Sequence, residues 1–253
     1  SALYKTEHYS FVIAGTGSAG MEAGLVNLAE GDDEVLICNN GFFCRRMTLM
    51  ADRLGVNYSS LDFEWGTAVD LNVLEDKLKK SSTKLVAVIH AETSTGVLNP
   101  IDEIGKLCKQ YGAMLMVDCV TSLGGIEIEF DEWGLDFAYS GTQKCLAAPP
   151  GLSPVALSQR ALKFIKSRKT PPSSWYLDLA CLVDYWGKDH IAHQTTPVNL
   201  IYALREALYL TQEEGIENKI NRHKIMSDGL KSGFSALGLE LPINQSIALN
   251  QLT

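Results

Sequence analysis

Short apolar runs bounded by turn residues alternate with longer segments in which apolar residues recur three and four positions apart. The short runs predict buried strands at Ser10 to Ala14, Glu34 to Cys38, Leu85 to His90, Met114 to Val117 and Asp136 to Ser140. The longer segments predict helices at Gly20 to Leu28, Phe43 to Leu54, Leu71 to Lys80 and Ile101 to Tyr111. This alternation predicts an α/β fold with a mostly parallel sheet and helices on both faces. Ligands of such sheets bind beyond the carboxyl ends of the strands.

The alternation of strands and helices ends after Pro149-Pro150-Gly151. An irregular connector that contains aromatic residues, SRKTPPSSWYLDL, follows. From Val198 onward, VNLIYALREALYLTQEEG predicts an amphipathic helix with Gly215 as its C-cap. A second helix is expected over Asn218 to Ala236. We therefore divide the chain into a larger domain with its connector, residues 1–197, and a helical return that begins a smaller C-terminal domain, residues 198–253.

Composition and charge narrow the class of protein. The 253 residues are 46% hydrophobic, which is enough to bury a sizeable core. Twenty-two basic and thirty acidic residues give a net charge of −8 without a basic stripe, which argues against a nucleic-acid surface. The six cysteines fall singly, and no apolar run reaches the roughly 18 residues of a membrane span. We expect a soluble, intracellular protein whose partners are small molecules or other protein chains.

A glycine-rich loop, AGTGSAG at positions 14–20, follows the first predicted strand and opens a helix. Free N–H groups and the helix dipole make such a helix start a binding site for phosphate. A nicotinamide dinucleotide site would also need an acidic residue at the end of the second strand, where this chain has Asn39. A single-phosphate site is therefore favoured, while a nicotinamide cofactor and a purely structural turn stay open. Close packing of helix on sheet is enough to explain Gly20.

Two charged residues follow predicted strands. Asp118 ends the run MLMVD, and Lys144 lies in AYSGTQKCLAAPPG with no acid within seven residues on either side. Each has a plain alternative, a turn acid and a solvated surface lysine. If Lys144 is desolvated among its small and apolar neighbours, it becomes a nucleophile suited to Schiff-base chemistry. An aldehyde-bearing pyridine cofactor needs such a lysine, a carboxylate for its ring nitrogen and a cradle for its phosphate, and this chain offers all three.

Several stretches resemble the successive motifs of the class V, fold-type I pyridoxal-phosphate aminotransferases, and in particular the alanine–glyoxylate/serine–pyruvate group. They are GTGSAGMEA, NNGFFCRR, HAETSTGVLNPI, VDCVTSLGG and YSGTQKCLAAPPG. The resemblance implies that Lys144 binds the cofactor's aldehyde and is the catalytic residue. It implies the following cofactor-binding residues: Thr16, Gly17 and Ser18 (phosphate loop), Phe43 (ring stacking), Thr93, Asp118 (pyridine nitrogen), Val120 (under the ring), Gln143 (phosphate) and Thr195.

The resemblance also implies a homodimer, since Thr195 matches a residue that contacts the phosphate in the neighbouring subunit. Three departures stand out. Ala192 replaces a tyrosine that the family contributes to the partner's phosphate, and Cys44 replaces a small residue beside the stacking ring. The family's leading arm, most of its C-terminal domain and the arginine that binds the substrate carboxylate are not matched. His190 and His193 have no third partner, so we expect loop histidines and no metal site.

The implied function is pyridoxal 5'-phosphate-dependent transamination of alanine or serine with glyoxylate or pyruvate as the acceptor. A transaminase of the 3-hydroxykynurenine type is the alternative within the family. A nicotinamide-dependent oxidoreductase, suggested by the glycine loop alone, and a chain that binds the cofactor without turnover are the alternatives from other classes.

Overall fold

The computed structural model describes residues 2–188 and 190–252. Its strands are β1 (Tyr9–Ala14), β2 (Val35–Asn39), β3 (Tyr58–Asp62), β4 (Leu85–Ile89), β5 (Ala91–Glu92), β6 (Val97–Leu98), β7 (Met114–Asp118), β8 (Phe137–Tyr139) and β9 (Leu152–Leu157). Its helices are α1 (Gly17–Leu28), α2 (Phe42–Leu54), α3 (Leu71–Lys80), α4 (Ile101–Tyr111), α5 (Gln159–Lys166), α6 (Leu179–Trp186), α7 (Val198–Glu214) and α8 (Ile216–Ala236). Each strand and helix predicted from the apolar pattern is present, with bounds shifted by at most a few residues.

The main sheet has seven strands in the order β1-β9-β8-β7-β4-β2-β3. The pairs from β8 to β3 are parallel, whereas β9 is antiparallel to both β1 and β8. The prediction of a mostly parallel sheet is therefore confirmed. The pattern missed β9 because Pro154 lies inside it, and proline is unusual in a central strand. It missed β3 because YSSLD is a polar strand at the edge of the sheet.

Alternate residues of the central strands face two separate apolar layers, as a sheet covered on both sides requires. In β4, Leu85 and Ala87 pack in the layer under α1 and α2, whereas Val86 and Val88 pack in the layer under α3 and α4. Helices on both faces are thus confirmed. The crossovers bring the carboxyl ends of β4, β7 and β8 to one edge of the sheet, beside the starts of α1 and α2.

Two glycines have roles that their surroundings explain. Gly20 lies where α1 approaches the sheet, and a Cβ there would come within 2.3 Å of the Ser153 hydroxyl and 2.7 Å of the Tyr139 Cβ. The expected close packing of helix on sheet is confirmed. Gly215 ends α7 at a φ of +82°, and its N–H donates to the carbonyl of Thr211. Its predicted role as a C-cap is confirmed. Within the described residues, no helix is long and apolar enough to cross a membrane.

Candidate active site

A cavity of about 290 Å³ opens at the edge where β4, β7 and β8 end. It is lined by nine of the ten residues singled out from the sequence, namely Thr16, Gly17, Ser18, Phe43, Thr93, Asp118, Val120, Gln143 and Lys144. The tenth, Thr195, is exposed and does not line the cavity. The fold therefore gathers residues from five separate stretches of the chain into one site.

The start of α1 forms one wall of the cavity. Thr16 is the N-cap residue, but its side chain makes no capping hydrogen bond, and the first turn contains no acidic residue. The first N–H groups of a helix have no acceptor within the helix. Gly17 packs directly on Val120, because a Cβ at this position would come within 2.7 Å of the Val120 side chain. The wall is thus a helix N-terminus that can receive an anion, held close to the residues that follow β7.

Asp118 ends β7 and is only 5% exposed. Its Oδ1 accepts a hydrogen bond from the N–H of Val120 (2.8 Å), and its Oδ2 accepts one from the hydroxyl of Tyr139 (2.7 Å). Burial raises the pKa of the Asp118 carboxyl from 3.8 to about 6, although these two hydrogen bonds act in the opposite direction. The carboxylate is therefore held in a fixed orientation by neutral donors, in surroundings that favour a cationic partner.

Lys144 follows β8 in a short turn that is closed by a hydrogen bond from the N–H of Ala147 to the Lys144 carbonyl. Its side chain and that of Gln143 are exposed at the mouth of the cavity. The expectation that Lys144 is desolvated is therefore wrong for the chain as described. Its neighbours in sequence are small and apolar, but they do not cover the amine, because the turn projects from the strand end into an open cavity.

Phe43 lies in the first turn of α2, which is capped by residues from the hairpin of β5 and β6. The buried carboxylate of Glu92 accepts hydrogen bonds from the N–H of Cys44 (3.3 Å) and from Ser94, whose hydroxyl in turn accepts the N–H of Phe42. The Cys44 thiol is fully buried and lies 3.4 Å from a Glu92 carboxylate oxygen, and burial raises its pKa well above the usual value. The cysteine at position 44, where the family has a smaller residue, therefore fits beneath the first turn of α2 in contact with Glu92.

Between the two capping residues, Thr93 turns toward the cavity, where its hydroxyl shares a hydrogen bond with the hydroxyl of Thr121. Glu92, Thr93 and Ser94 therefore tie the cavity wall and the start of α2 to the same three-residue segment. Any movement of this hairpin would move Phe43 and Thr93 together.

The segment that carries the expected dimer contact lies away from the cavity. Ala192 and Thr195 are exposed, and the ring of His193 lies 4.3 Å from that of Trp175, centroid to centroid. In the described ranges 2–188 and 190–252, no group of three or more histidine, cysteine or acidic side chains forms a candidate metal site. The interactions of His193 are the ring contact with Trp175 and a hydrogen bond with the carbonyl of Tyr176.

Sequence reasoning missed several residues of the site. Met21, Arg46, Ile89, Ala91 and Thr121 also line the cavity. Arg46 could have been predicted from the sequence, because it follows Phe43 by three positions and so lies on the same face of a helix. The burial of Glu92 could not have been predicted, since the spacing of residues in HAETSTG does not distinguish a buried acidic residue from an exposed one in a loop.

Comparisons with known proteins agree with this geometry. A sequence profile of the family described as "Aminotransferase class-V" matches residues 6–248. The chain is 38% identical to (S)-ureidoglycine–glyoxylate transaminase of Bacillus subtilis (strain 168), over 94% of this chain and 62% of that protein. It is 40% identical to alanine–glyoxylate aminotransferase of Callithrix jacchus, over 92% of this chain and 57% of that protein.

A solved structure of the alanine–glyoxylate aminotransferase from Nostoc sp. superposes with a TM-score of 0.96 at 40% identity, covering 98% of this chain and 66% of that one. The chain thus spans about three fifths of the length of the curated relatives it matches. Since the profile match covers nearly the whole chain and the relatives are well above 30% identical, the chain belongs to the class-V aminotransferase family.

Proposed function

We propose that this chain forms the cofactor-binding part of a pyridoxal 5'-phosphate-dependent transaminase that moves an amino group from alanine or serine to glyoxylate or pyruvate. The observation that carries the proposal is the shared cavity of Asp118, Lys144 and the uncapped start of α1. The relatives' names add glyoxylate as a common acceptor, because both the alanine and the ureidoglycine transaminases carry it in their names.

The residues present fit this cofactor in three respects. The start of α1 lacks a capping side chain and an acidic residue, so the N–H groups of its first turn are available to a phosphate. Asp118 is a buried carboxylate that accepts hydrogen bonds from two neutral donors and forms no ion pair with any described residue, which suits a protonated pyridine nitrogen. Lys144 presents a primary amine at the cavity mouth for an aldehyde. When bound, the cofactor supplies an electron sink for the carbanion formed at the substrate's α-carbon.

The chain's own residues would then divide the work. The Asp118 carboxylate holds a proton on the pyridine nitrogen, and its hydrogen bonds from Val120 and Tyr139 keep it oriented. The Lys144 amine would take the proton from the α-carbon of the substrate as general base and, as general acid, deliver it to the cofactor carbon that carried the aldehyde, so that water can then release the 2-oxo acid and leave the amino group on the cofactor. The ring of Phe43 and the side chain of Val120, which both line the cavity, restrict the tilt of the bound ring.

Phosphate contacts are proposed for Thr16, Gly17, Ser18 and Gln143, and a contact near the ring oxygen for Thr93. Thr195 is exposed outside the cavity, which is compatible with a contact to the phosphate in a second subunit. We therefore propose a homodimer with shared sites. Ala192 offers no side-chain hydrogen bond there, so Thr195 would carry that contact without the tyrosine usual in the family.

A second amino donor is favoured by a specific observation. The transaminase of Bacillus subtilis that is 38% identical to this chain is named for (S)-ureidoglycine, a larger and more polar donor than alanine. We propose ureidoglycine as the alternative donor, with glyoxylate kept as acceptor. Steady-state rates with alanine, serine and ureidoglycine at equal concentration, each with glyoxylate, decide between them.

The proposal is tested by titrating the full-length protein with pyridoxal 5'-phosphate. We expect a visible absorbance band, and after borohydride reduction a peptide map with the cofactor's mass on Lys144. Lys144→Ala should lose both signals, whereas Lys163→Ala, at an exposed lysine of α5, should keep them. Absence of the band in wild-type protein saturated with the cofactor would overturn the proposal. A band that alanine, serine and ureidoglycine all leave unchanged would point to binding without turnover.

A further inference from the structure

Arg46 lines the candidate cavity without having been assigned a part in it. It lies on α2, one turn from the helix start, and its guanidinium carbon is 4.7 Å from the centre of the Phe43 ring. The same carbon is 5.7 Å from the centre of the Phe42 ring, and the two rings meet edge to face. A guanidinium at this distance from a ring is attracted to its face. The contact therefore restricts both Arg46 and the neighbouring Phe43.

Among the residues that the structure describes, no carboxylate forms an ion pair with Arg46. Across the described ranges 2–188 and 190–252, its guanidinium makes no ion pair and no hydrogen bond to a carboxylate, and it lies over two aromatic rings. Asp118 carries the opposite charge and likewise lacks a charged partner among the described residues, because its two oxygens accept hydrogen bonds from neutral donors. A cation and a buried carboxylate, neither of them paired, thus line the same cavity of about 290 Å³.

We propose that Arg46 is a positioning residue of this site: its guanidinium holds the Phe43 ring in place over the cavity, and its positive charge stabilises the Asp118 carboxylate. The proposal rests on the proposed function, because both effects act on the pocket for the pyridine ring. In this role Arg46 does not contact the substrate or the reacting atoms of the cofactor. It acts on Phe43 by direct contact and on Asp118 through the electrostatic effect of its charge.

The electrostatic surroundings of Asp118 agree with this role. Burial is the main influence and raises the pKa of its carboxyl, and Glu92 adds to that effect; the hydrogen bonds from Tyr139 and Val120 lower the pKa, and the positive charge of Arg46 lowers it by a smaller amount. The other titratable groups near this carboxylate are Tyr4, Cys119, Tyr139 and, at the cavity mouth, Lys144. Tyr4, Cys119 and Tyr139 all have raised pKa values, so they stay neutral and do not compensate the Asp118 charge.

The two parts of the role can be separated by substitution. Lysine would keep the positive charge but lose the planar, delocalised group that stacks on an aromatic ring. Methionine would keep a flexible apolar stem and lose the charge. Arg45, the next residue, is exposed and does not line the cavity, so Arg45→Met is the matched control for loss of one charge from α2.

The experiment measures the dissociation constant of pyridoxal 5'-phosphate for the full-length protein, from its visible absorbance, between pH 5.5 and 8.5. For Arg46→Met we expect binding that is a few-fold weaker near pH 6.5 and a midpoint of the affinity–pH profile that lies at higher pH than in wild type, because Asp118 then keeps its proton to a higher pH and a protonated Asp118 no longer pairs with the pyridine nitrogen. Arg46→Lys should restore the midpoint while binding stays weaker than in wild type. Arg45→Met should match wild type throughout.

Three results would overturn the proposal. One is an unchanged affinity in Arg46→Met at every pH, and another is a loss of affinity that is equal at every pH, which would mean lost packing alone. The third is an Arg45→Met profile that shifts like that of Arg46→Met. If Arg46→Met unfolds at a lower temperature than wild type, Arg46→Gln gives the same comparison with a polar neutral side chain. Failure of wild-type protein to bind the cofactor would instead refute the proposed function itself.

Discussion

Replacing Asp118 by asparagine should make the cofactor-free protein more stable while it weakens the proposed cofactor site. The pKa of this carboxyl rises from 3.8 to about 6 on folding, chiefly because the group is buried. Between those values the folded protein keeps the proton that the unfolded chain releases, so raising the pH favours unfolding. A difference of about two units, at 1.36 kcal/mol each, means that ionised Asp118 costs about 3 kcal/mol at pH 7.5.

Asparagine removes the charge and keeps the shape of the side chain. Its amide oxygen can accept the N–H of Val120, and its NH₂ can donate to the Tyr139 hydroxyl, which then changes from donor to acceptor. We therefore expect Asp118→Asn to raise the free energy of unfolding by about 2 to 3 kcal/mol at pH 7.5, and by about half as much at pH 5.

Urea denaturation of the cofactor-free protein at both pH values measures this effect. Asp52→Asn, at an exposed position of α2, is the matched control and should change little at either pH. An Asp118→Asn protein no more stable than wild type at pH 7.5, or one whose gain does not shrink at pH 5, would refute the reasoning. In the same variant, affinity for pyridoxal 5'-phosphate should fall, because the neutral amide cannot stabilise a protonated pyridine nitrogen.

Two further predictions concern stability alone. Gly20→Ala should lower the free energy of unfolding by about 2 kcal/mol in urea melts, because its Cβ would meet Ser153 and Tyr139 at 2.3 and 2.7 Å. Gly229→Ala, on an exposed face of α8 with open space around it, should raise that free energy by about 1 kcal/mol; equal effects would contradict the packing argument. His90 is buried, and burial lowers its pKa from 6.5 to about 4, so His90 by itself should cost stability as the pH falls through that interval, a loss that the opposite effect of Asp118 offsets in part in the wild-type protein. His90→Gln should flatten this loss between pH 6.5 and 4, and a pH profile that stays parallel to that of wild type would contradict the assignment to His90.

The elements with strong local signals could be predicted from the sequence. The period of apolar residues located the central strands and the helices that cover them, and the order strand, glycine loop, helix located the start of α1. Gly20 and Gly215 were predictable because a tight approach and a helix end each demand a residue without a side chain. Nine of the ten predicted site residues fall in one cavity because motifs at the ends of parallel strands meet at one edge of the sheet.

Other features depended on contacts between distant segments. The antiparallel strand β9 contains Pro154 and is stabilised by neighbours on both sides, which no local pattern reveals. The exposure of Lys144 contradicts its apolar sequence neighbours, because exposure depends on where the turn projects and not on the residues beside it. The cap that Glu92 forms on α2 joins residues 48 positions apart.

The sequence by itself determined the α/β class and the order of its main elements, because periodicity and turn residues act over a few positions, while most of the residues that gather at the strand ends were implied by the resemblance to a known family. Only the tertiary structure decided which charges are buried and what faces them. Asp118 accepts hydrogen bonds from two neutral donors, Arg46 stacks on Phe43 and pairs with no carboxylate in the part of the chain that the structure describes, and both line one cavity. These relations depend on distances through space, and the free energy of a buried charge is set by such distances.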